Sequence, residues 1–143
     1  MVLRKCHIIV PPSILEEMTL KDQERLSKFQ LKVLPLEDEE RQRAGKFLQL
    51  LTGKKEVRAK YLEKSNLRKI PHIGESEAAA IARQQKKPFD LLEAKASTVL
   101  KKALKMANVE IMNLVQLGEH VLQGPELKAY KNKLWEKLHI RSL

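Results

Sequence analysis

The chain has few of the residues on which disulfide-bonded, zinc-binding or membrane-spanning proteins depend. Of its 143 residues only Cys6 is a cysteine, so no disulfide can form within the chain. Its four histidines are too scattered for a structural zinc motif. No run of about 18 apolar residues could span a bilayer, and the apolar part of residues 1–10 is too short for a signal peptide. We therefore expect a cytoplasmic protein with no membrane segment.

Aromatic residues are also scarce. The six aromatic side chains are spread along the chain and not interleaved with basic residues: Phe29, Phe47, Tyr61, Phe89, Tyr130 and Trp135. Proteins that bind single strands by stacking need such side chains close together in a basic groove. The sequence therefore argues against a stacking platform, and it predicts that Trp135 belongs to the core.

Positive charge is in excess throughout the chain. There are 28 Lys and Arg residues against 18 Asp and Glu residues, which gives a net charge of +10. Such an excess attracts phosphate backbones through counterion release, and it also keeps proteins soluble. With 43% apolar residues the chain is long enough to bury the core of a single domain.

Apolar segments bounded by prolines and turn residues predict an α/β chain. Strands are expected at residues 7–10 and 89–92, and residues 31–34 are expected to form a short strand or an extended connector. Helices are expected at 13–18, from 19 to about 29, from 37 to 52, from 73 to 85, from 94 to 106 and after Gly124.

Residues 100–121 allow two interpretations. A long helix would explain the apolar spacing of four and three residues shared by Leu100, Leu104, Ala107, Ile111, Leu114, Gly118 and Val121. Residues 108–113, bracketed by two asparagines, are also typical of a strand. The pattern alone leaves both open.

The most basic window covers residues 54–69. Its seven basic residues are Lys54, Lys55, Arg58, Lys60, Lys64, Arg68 and Lys69, against Glu56 and Glu63. These residues either form the solvated side of a helix, with Val57, Tyr61 and Leu62 turned inward, or contact nucleic-acid phosphates.

Residues 73–82 start a helix that is central to any function. Gly74 permits backbone conformations that other residues avoid, Ser76 can cap a helix, and Glu75 and Glu77 suit a positively polarised first turn. Such a start could present its amides to a phosphate, or its carboxylates to a metal ion.

The first of these possibilities is carried by residues 65–74. Together with the alanines that follow, this segment resembles a helix-hairpin-helix motif, with His72 where that family's first glycine is expected. The resemblance implies an all-α, noncatalytic DNA-binding module whose turn donates backbone N–H groups to a phosphate.

A second resemblance extends over most of the chain. Residues 8–18 and 31–36 are similar to the strand, proline pair, acidic helix and following strand of PIN-domain proteins, as found in toxin-antitoxin ribonucleases. Residues 74–82, 107–113 and 124–127 resemble the glycine-acid-alanine helix start, a late strand and the closing helix of that family. This implies one domain over 1–143, a three-layer α/β/α fold with a short, mostly parallel sheet and an inserted basic helix around 54–66.

The PIN resemblance also implies a metal site. PIN nucleases hold Mg²⁺ or Mn²⁺ with clustered carboxylates that activate water. The matching positions are Glu17, then Glu75 or Glu77, then Glu93, with Asp90 as the second choice for the last. The family's first strand and leading aspartate would precede residue 1, and its later aspartate pair is reduced to Glu93. We therefore expect weak or absent nuclease activity.

These observations predict an RNA-binding PIN-like protein, a degenerate or truncated ribonuclease. DNA is the second choice of nucleic acid, and a sheet edge exposed by the missing strand would pair with a second copy or a partner chain. The alternatives are the helix-hairpin-helix DNA-binding module and a basic structural or assembly protein.

Overall fold

The computed structural model describes residues 6–26, 30–63, 70–91 and 98–139. Within these ranges the chain forms the following elements in order: β1 His7–Val10, α1 Pro12–Glu16, α2 Leu20–Leu26, β2 Gln30–Val33, α3 Asp38–Thr52, α4 Lys55–Leu62, α5 Ile73–Gln85, β3 Phe89–Leu91, α6 Thr98–Met106, β4 Ile111–Asn113, α7 Leu114–Val121 and α8 Gly124–Leu138. No helix in the described part of the chain has both the length and the apolar character to cross a membrane.

The four strands found in the described ranges pair in parallel. β1 runs beside β2 with His7 opposite Gln30, and β3 runs beside β4 with Phe89 opposite Ile111. Parallel partners need a crossover connection, which α1 and α2 provide for the first pair and the segment containing α6 for the second. The α/β class and the parallel pairing are thus confirmed, and the all-α alternative is wrong.

The prediction of one sheet needs a correction, because the described residues form two separate two-stranded sheets. The centre of the fold is a pair of packed helices, α3 and α5. Ala79 and Ala80 of α5 are fully buried, and such small side chains let the two helices approach closely. One core cluster includes Phe47, Ala79 and Leu104, and a second joins Leu48, Tyr61 and Ala80.

The boundaries of α3 follow the predicted signals. Glu37 and Glu40 form a capping box at its start, in which the Glu37 amide donates to Oε1 of Glu40 over 3.0 Å. Gly53 ends the helix with φ of 70°, the left-handed conformation that glycine adopts easily. α4 then follows at once, so the predicted basic helix is present over Lys55–Leu62.

The long heptad helix predicted as one alternative for residues 100–121 is wrong. α6 ends at Met106, and Asn108 takes φ of 58° before β4 begins. Asn113 then caps α7, because its Oδ1 accepts the amide of Gln116 over 3.1 Å. The two asparagines therefore divide the segment into helix, strand and helix, although its apolar spacing would also fit one continuous helix.

The core position predicted for Trp135 is also wrong, since its side chain is 42% exposed. The neighbouring Leu134 is buried. Consecutive helical residues point about 100° apart, so a helix that packs through Leu134 can leave Trp135 at the edge of its buried face. Trp135 instead lies edge-on to His139, with ring centroids 5.2 Å apart.

Candidate functional site

The start of α5 is bonded to a carboxylate from a distant part of the chain. The Gly74 amide donates to Oε1 of Glu17 over 3.1 Å, across a sequence separation of 57 residues. The first amides of a helix have no partner inside it, and its N-terminus is positively polarised. Glu17, which follows α1 directly, thus caps α5 from outside.

Two predictions about this helix start are wrong. Ser76 is not the cap, because α5 begins at Ile73 and the N-cap residue is His72. Ser76 is buried inside the second turn, where its Oγ has no hydrogen-bond partner among the described residues. The unusual backbone belongs to His72, with φ of 65°, and not to Gly74.

Gly74 leaves space that neighbouring side chains occupy. A Cβ at this position would lie 2.9 Å from each carboxylate oxygen of Glu17 and 3.0 Å from Cδ1 of Ile14. These distances are shorter than ordinary van der Waals contacts. The absent side chain therefore lets α1 and Glu17 reach the first turn of α5.

Glu75 and His72 form the exposed part of this site. Oε2 of Glu75 lies 3.4 Å from Nδ1 of His72, and both side chains are about two-fifths exposed, at 40% and 43%. This contact is an ion pair only when His72 is protonated, and exposed pairs contribute little to stability. Glu75 is therefore accessible to a ligand from solvent.

Glu77 faces inward toward α4. Its Oε2 accepts a 2.6 Å hydrogen bond from the hydroxyl of Tyr61, whose side chain is only 2% exposed. Burial first, and then this bond and the negative charge of Glu77, raise the pKa of Tyr61 far above its ordinary value, although the Arg41 guanidinium lowers it. The Arg41 guanidinium lies 5.4 Å from the Tyr61 ring centroid. Tyr61 therefore stays protonated and holds the end of α4 against α5.

The carboxylates predicted to bind a metal are therefore engaged in different ways. Glu17 caps α5, Glu75 meets His72, and Glu77 accepts from Tyr61. The described ranges contain no group of three or more His, Cys, Asp or Glu residues arranged to hold one ion. Glu93 and the side chain of Asp90 lie outside the described part of the chain, so the Mg²⁺ or Mn²⁺ site stays a prediction.

The predicted phosphate-binding helix is basic on its exposed side. Lys54, Lys55 and Lys60 are exposed, whereas Arg58 is half-buried with its Cγ packed over Gly45. The remaining predicted contacts lie outside the described residues: Lys64, Arg68 and Lys69. Because Tyr61 joins α4 to Glu77, the basic face and the carboxylates belong to neighbouring elements.

The sequence interpretation missed a second basic surface, which is lined by residues of α5, α6 and their following turns. Its signal in the sequence was present: Lys101, Lys102 and Lys105 lie on the polar side of a helix that buries Leu100 and Leu104. The signal was weak because Lys86 and Lys87 are separated from those lysines along the chain.

No protein-family model matches this chain, and comparisons with curated proteins and with solved structures also found no match. The function therefore has to be argued from the geometry and charge of the described residues.

Proposed function

We propose that this chain is a PIN-like RNA-binding protein in which the start of α5 is a carboxylate site of weak or absent nuclease activity. The observation that carries the proposal is the bond between Glu17 and Gly74. The PIN resemblance assigns Glu17 to one site with Glu75 or Glu77, the residues that follow Gly74. The bond supports this assignment, because it brings Glu17 to the first turn of α5 across 57 residues of sequence.

The basic helix α4 supports the RNA part of the proposal. Lys54, Lys55 and Lys60 are exposed on it, and the bond from Tyr61 to Glu77 places the end of α4 beside α5. A phosphate chain following those lysines would run along the side of α5 on which Glu77 lies. Lysines that contact phosphates bind RNA independently of its base sequence, and this binding releases counterions.

The contacts that these carboxylates already make support the expectation of weak or absent nuclease activity. Mg²⁺ is commonly held by one or two carboxylates together with water and substrate phosphates. Glu75 is exposed, and Glu17 keeps its second oxygen, but Glu77 is tied to Tyr61. Glu75 and Glu17 would hold such an ion, and it would supply an activated water and screen the phosphate charge.

RNA binding is tested by fluorescence anisotropy with a labelled single-stranded RNA over a series of salt concentrations. We expect the logarithm of the affinity to fall linearly with the logarithm of salt concentration, by ~0.7 for each phosphate contact. Absence of binding at low salt, or an affinity that salt leaves unchanged, would contradict the proposal.

Nuclease activity is tested on the same RNA with Mn²⁺. We expect slow cleavage or none, and any cleavage should disappear in Glu75→Gln. Glu136→Gln, a matched change at an exposed site on α8, should leave the cleavage rate unchanged. Rapid turnover, or cleavage that survives Glu75→Gln, would show that the carboxylate site is misassigned.

A further inference from the structure

Two depressions adjoin at the turn over residues 108–110, one beside α6 and the other beside the C-terminal end of α5. Their volumes are about 770 Å³ and 210 Å³, and they share the turn residues Asn108, Val109 and Glu110. Six basic residues line the groove: Arg83, Lys86, Lys87, Lys101, Lys102 and Lys105. We call this surface the α5–α6 groove.

The charges of the α5–α6 groove are almost all positive. Glu110 is the one carboxylate among its lining residues, and in the described ranges none of the six basic side chains forms an ion pair. Six like charges on two adjoining depressions raise the local potential and attract anions.

Helix dipoles explain only part of this arrangement. Arg83 and Lys105 lie in the last turns of α5 and α6, where positive charge is stabilising. Lys101 and Lys102 lie in the first five residues of α6, where the helix dipole gives a cation no stabilisation. Both residues line the depression beside α6, where an external anion would stabilise their charges.

The two walls of the groove are fixed by the backbone. Lys86 ends α5 with φ of 55°, and the amide of Lys87 donates to the Ala82 carbonyl over 2.9 Å. Asn108 takes φ of 58°, and the amide of Val109 donates to the Leu104 carbonyl over 2.9 Å. Both helix ends are therefore closed by hydrogen bonds that hold the basic residues in place.

We infer that the α5–α6 groove binds the phosphate backbone of RNA, an inference that rests on the proposed RNA-binding function. Cations on both sides of the 108–110 turn fit an extended chain of phosphates, because the chain can cross the turn and contact each side in succession. It would be a second contact surface in addition to α4.

The test compares RNA binding by three triple variants of the full chain with equal loss of charge. Lys101→Gln/Lys102→Gln/Lys105→Gln removes one wall of the groove, and Lys54→Gln/Lys55→Gln/Lys60→Gln removes the exposed lysines of α4. The matched control on α8 is Lys128→Gln/Lys133→Gln/Lys137→Gln. A fourth variant, Lys86→Asn/Lys87→Gln, removes charge from the other wall while placing asparagine, which tolerates the left-handed conformation, at residue 86.

We expect the α6 variant to bind RNA roughly tenfold more weakly at low salt and to lose about 2 from the salt slope, as for three phosphate contacts. The Lys86/Lys87 variant should show a smaller loss in the same direction, and the α8 control should bind as the wild type does. Circular dichroism and thermal unfolding check that each variant folds.

Other results overturn the inference. If the α6 and α8 variants bind equally, whether both are weakened or neither is, the effect is one of net charge and the groove is not a contact surface. If only the α4 variant loses affinity, RNA binding stands and the groove does not. If the wild type binds no RNA, the proposed function fails as well. Loss of duplex DNA binding with RNA binding retained would also contradict the inference.

Discussion

The carboxylate oxygens of Glu17 lie 2.9 Å from the point where a Cβ on Gly74 would be placed. An alanine there would push against a charged group that is itself bonded to the helix start. In most helical positions the same substitution is favourable, because alanine has the higher helix propensity by about 0.5–1 kcal/mol. The sign of the stability change at residue 74 therefore reports whether Glu17 is in place.

We expect Gly74→Ala to lower the free energy of unfolding by about 1–3 kcal/mol, the usual range for overpacking. In a Glu17→Ala background the same change should be much less destabilising, since the crowding carboxylate is gone. Urea unfolding of the four proteins of this cycle measures both effects. As a control, Gly45→Ala meets Cγ of Arg58, at 3.1 Å, and its effect should be the same with and without Glu17. Equal effects of Gly74→Ala in the two backgrounds would contradict the capping role of Glu17.

Tyr61 makes the free energy of unfolding depend on pH in the alkaline range. Its pKa in the folded state lies above the ordinary 10.0, so the folded protein keeps a proton that the unfolded chain releases. The stabilisation is complete below pH 10 and is lost as the pH rises above it, by up to about 1.4 kcal/mol per pH unit.

We expect Tyr61→Phe to lower the free energy of unfolding by about 2 kcal/mol at pH 8, because the bond to the Glu77 carboxylate is lost. The difference between the wild type and the variant should shrink from pH 10 to pH 11. Chemical unfolding at each pH measures this difference, and lysine titration affects both proteins alike. A difference that stays constant or grows with pH would contradict the raised pKa.

The start of α5 shows which residues of the candidate site can be predicted from the sequence and which cannot. Glu17, Gly74 and Glu75 were found from residue type and from the family resemblance, and the structure places Glu17 against Gly74. The roles of Ser76 and His72 were not found, because a serine near a helix start is an ordinary cap and only the fold shows that this helix begins earlier. The left-handed φ of His72 is enforced by its surroundings, and residue type does not encode it.

At the scale of the elements, α7 and α8 are joined through a glycine and a tyrosine. The Tyr130 ring packs so closely on Gly118 that a Cβ there would overlap it. The ring cannot easily retreat, because the Tyr130 hydroxyl donates to the Leu114 carbonyl over 2.6 Å. This contact sets the distance between the two helices.

We expect Gly118→Ala to lower the free energy of unfolding by about 2–3 kcal/mol through overpacking. Combining it with Tyr130→Phe should reduce that effect, since the ring is then free to move. Thermal unfolding of the single and double variants checks this coupling. His120→Ala, an exposed change in the same helix, should have little effect; strictly additive variants would show that the ring is not fixed by its hydroxyl.

The elements were predicted best where a cap or a proline marks their ends. Gly53 ends α3 and Gly124 begins α8 at the expected places. The apolar spacing from Leu100 to Val121 did not predict the structure of this segment. The same spacing fits one long helix and also a strand flanked by two helices. The pairing of β3 with β4 decides between them, and such a non-local contact is not visible in a local pattern.

At the scale of the whole molecule, the net charge of +10 acts in two opposite ways. Like charges repel one another more in the compact folded state than in the unfolded chain, and salt screens this repulsion. Salt also weakens binding to phosphate backbones.

We therefore expect the thermal midpoint of the free protein to rise between 10 and ~150 mM salt, over which the Debye length falls to about 8 Å. Added RNA at about 100 times Kd should stabilise the protein by about 2.7 kcal/mol at low salt, and this gain should disappear as salt increases. Differential scanning fluorimetry with and without RNA measures both trends. A protein whose midpoint falls with salt in the absence of RNA would not fit the charge distribution.

The two residues joined by the bond between Glu17 and Gly74 are synthesised at different times. During synthesis, the carboxylate is made 57 residues before the amide that it will bind. At roughly 5–20 residues per second, this interval lasts about 3–11 s. The cap therefore already exists when the first turn of α5 is made, and α5 can close its N-terminus as soon as it forms. β3, by contrast, must wait for β4 to be synthesised before its backbone finds a partner.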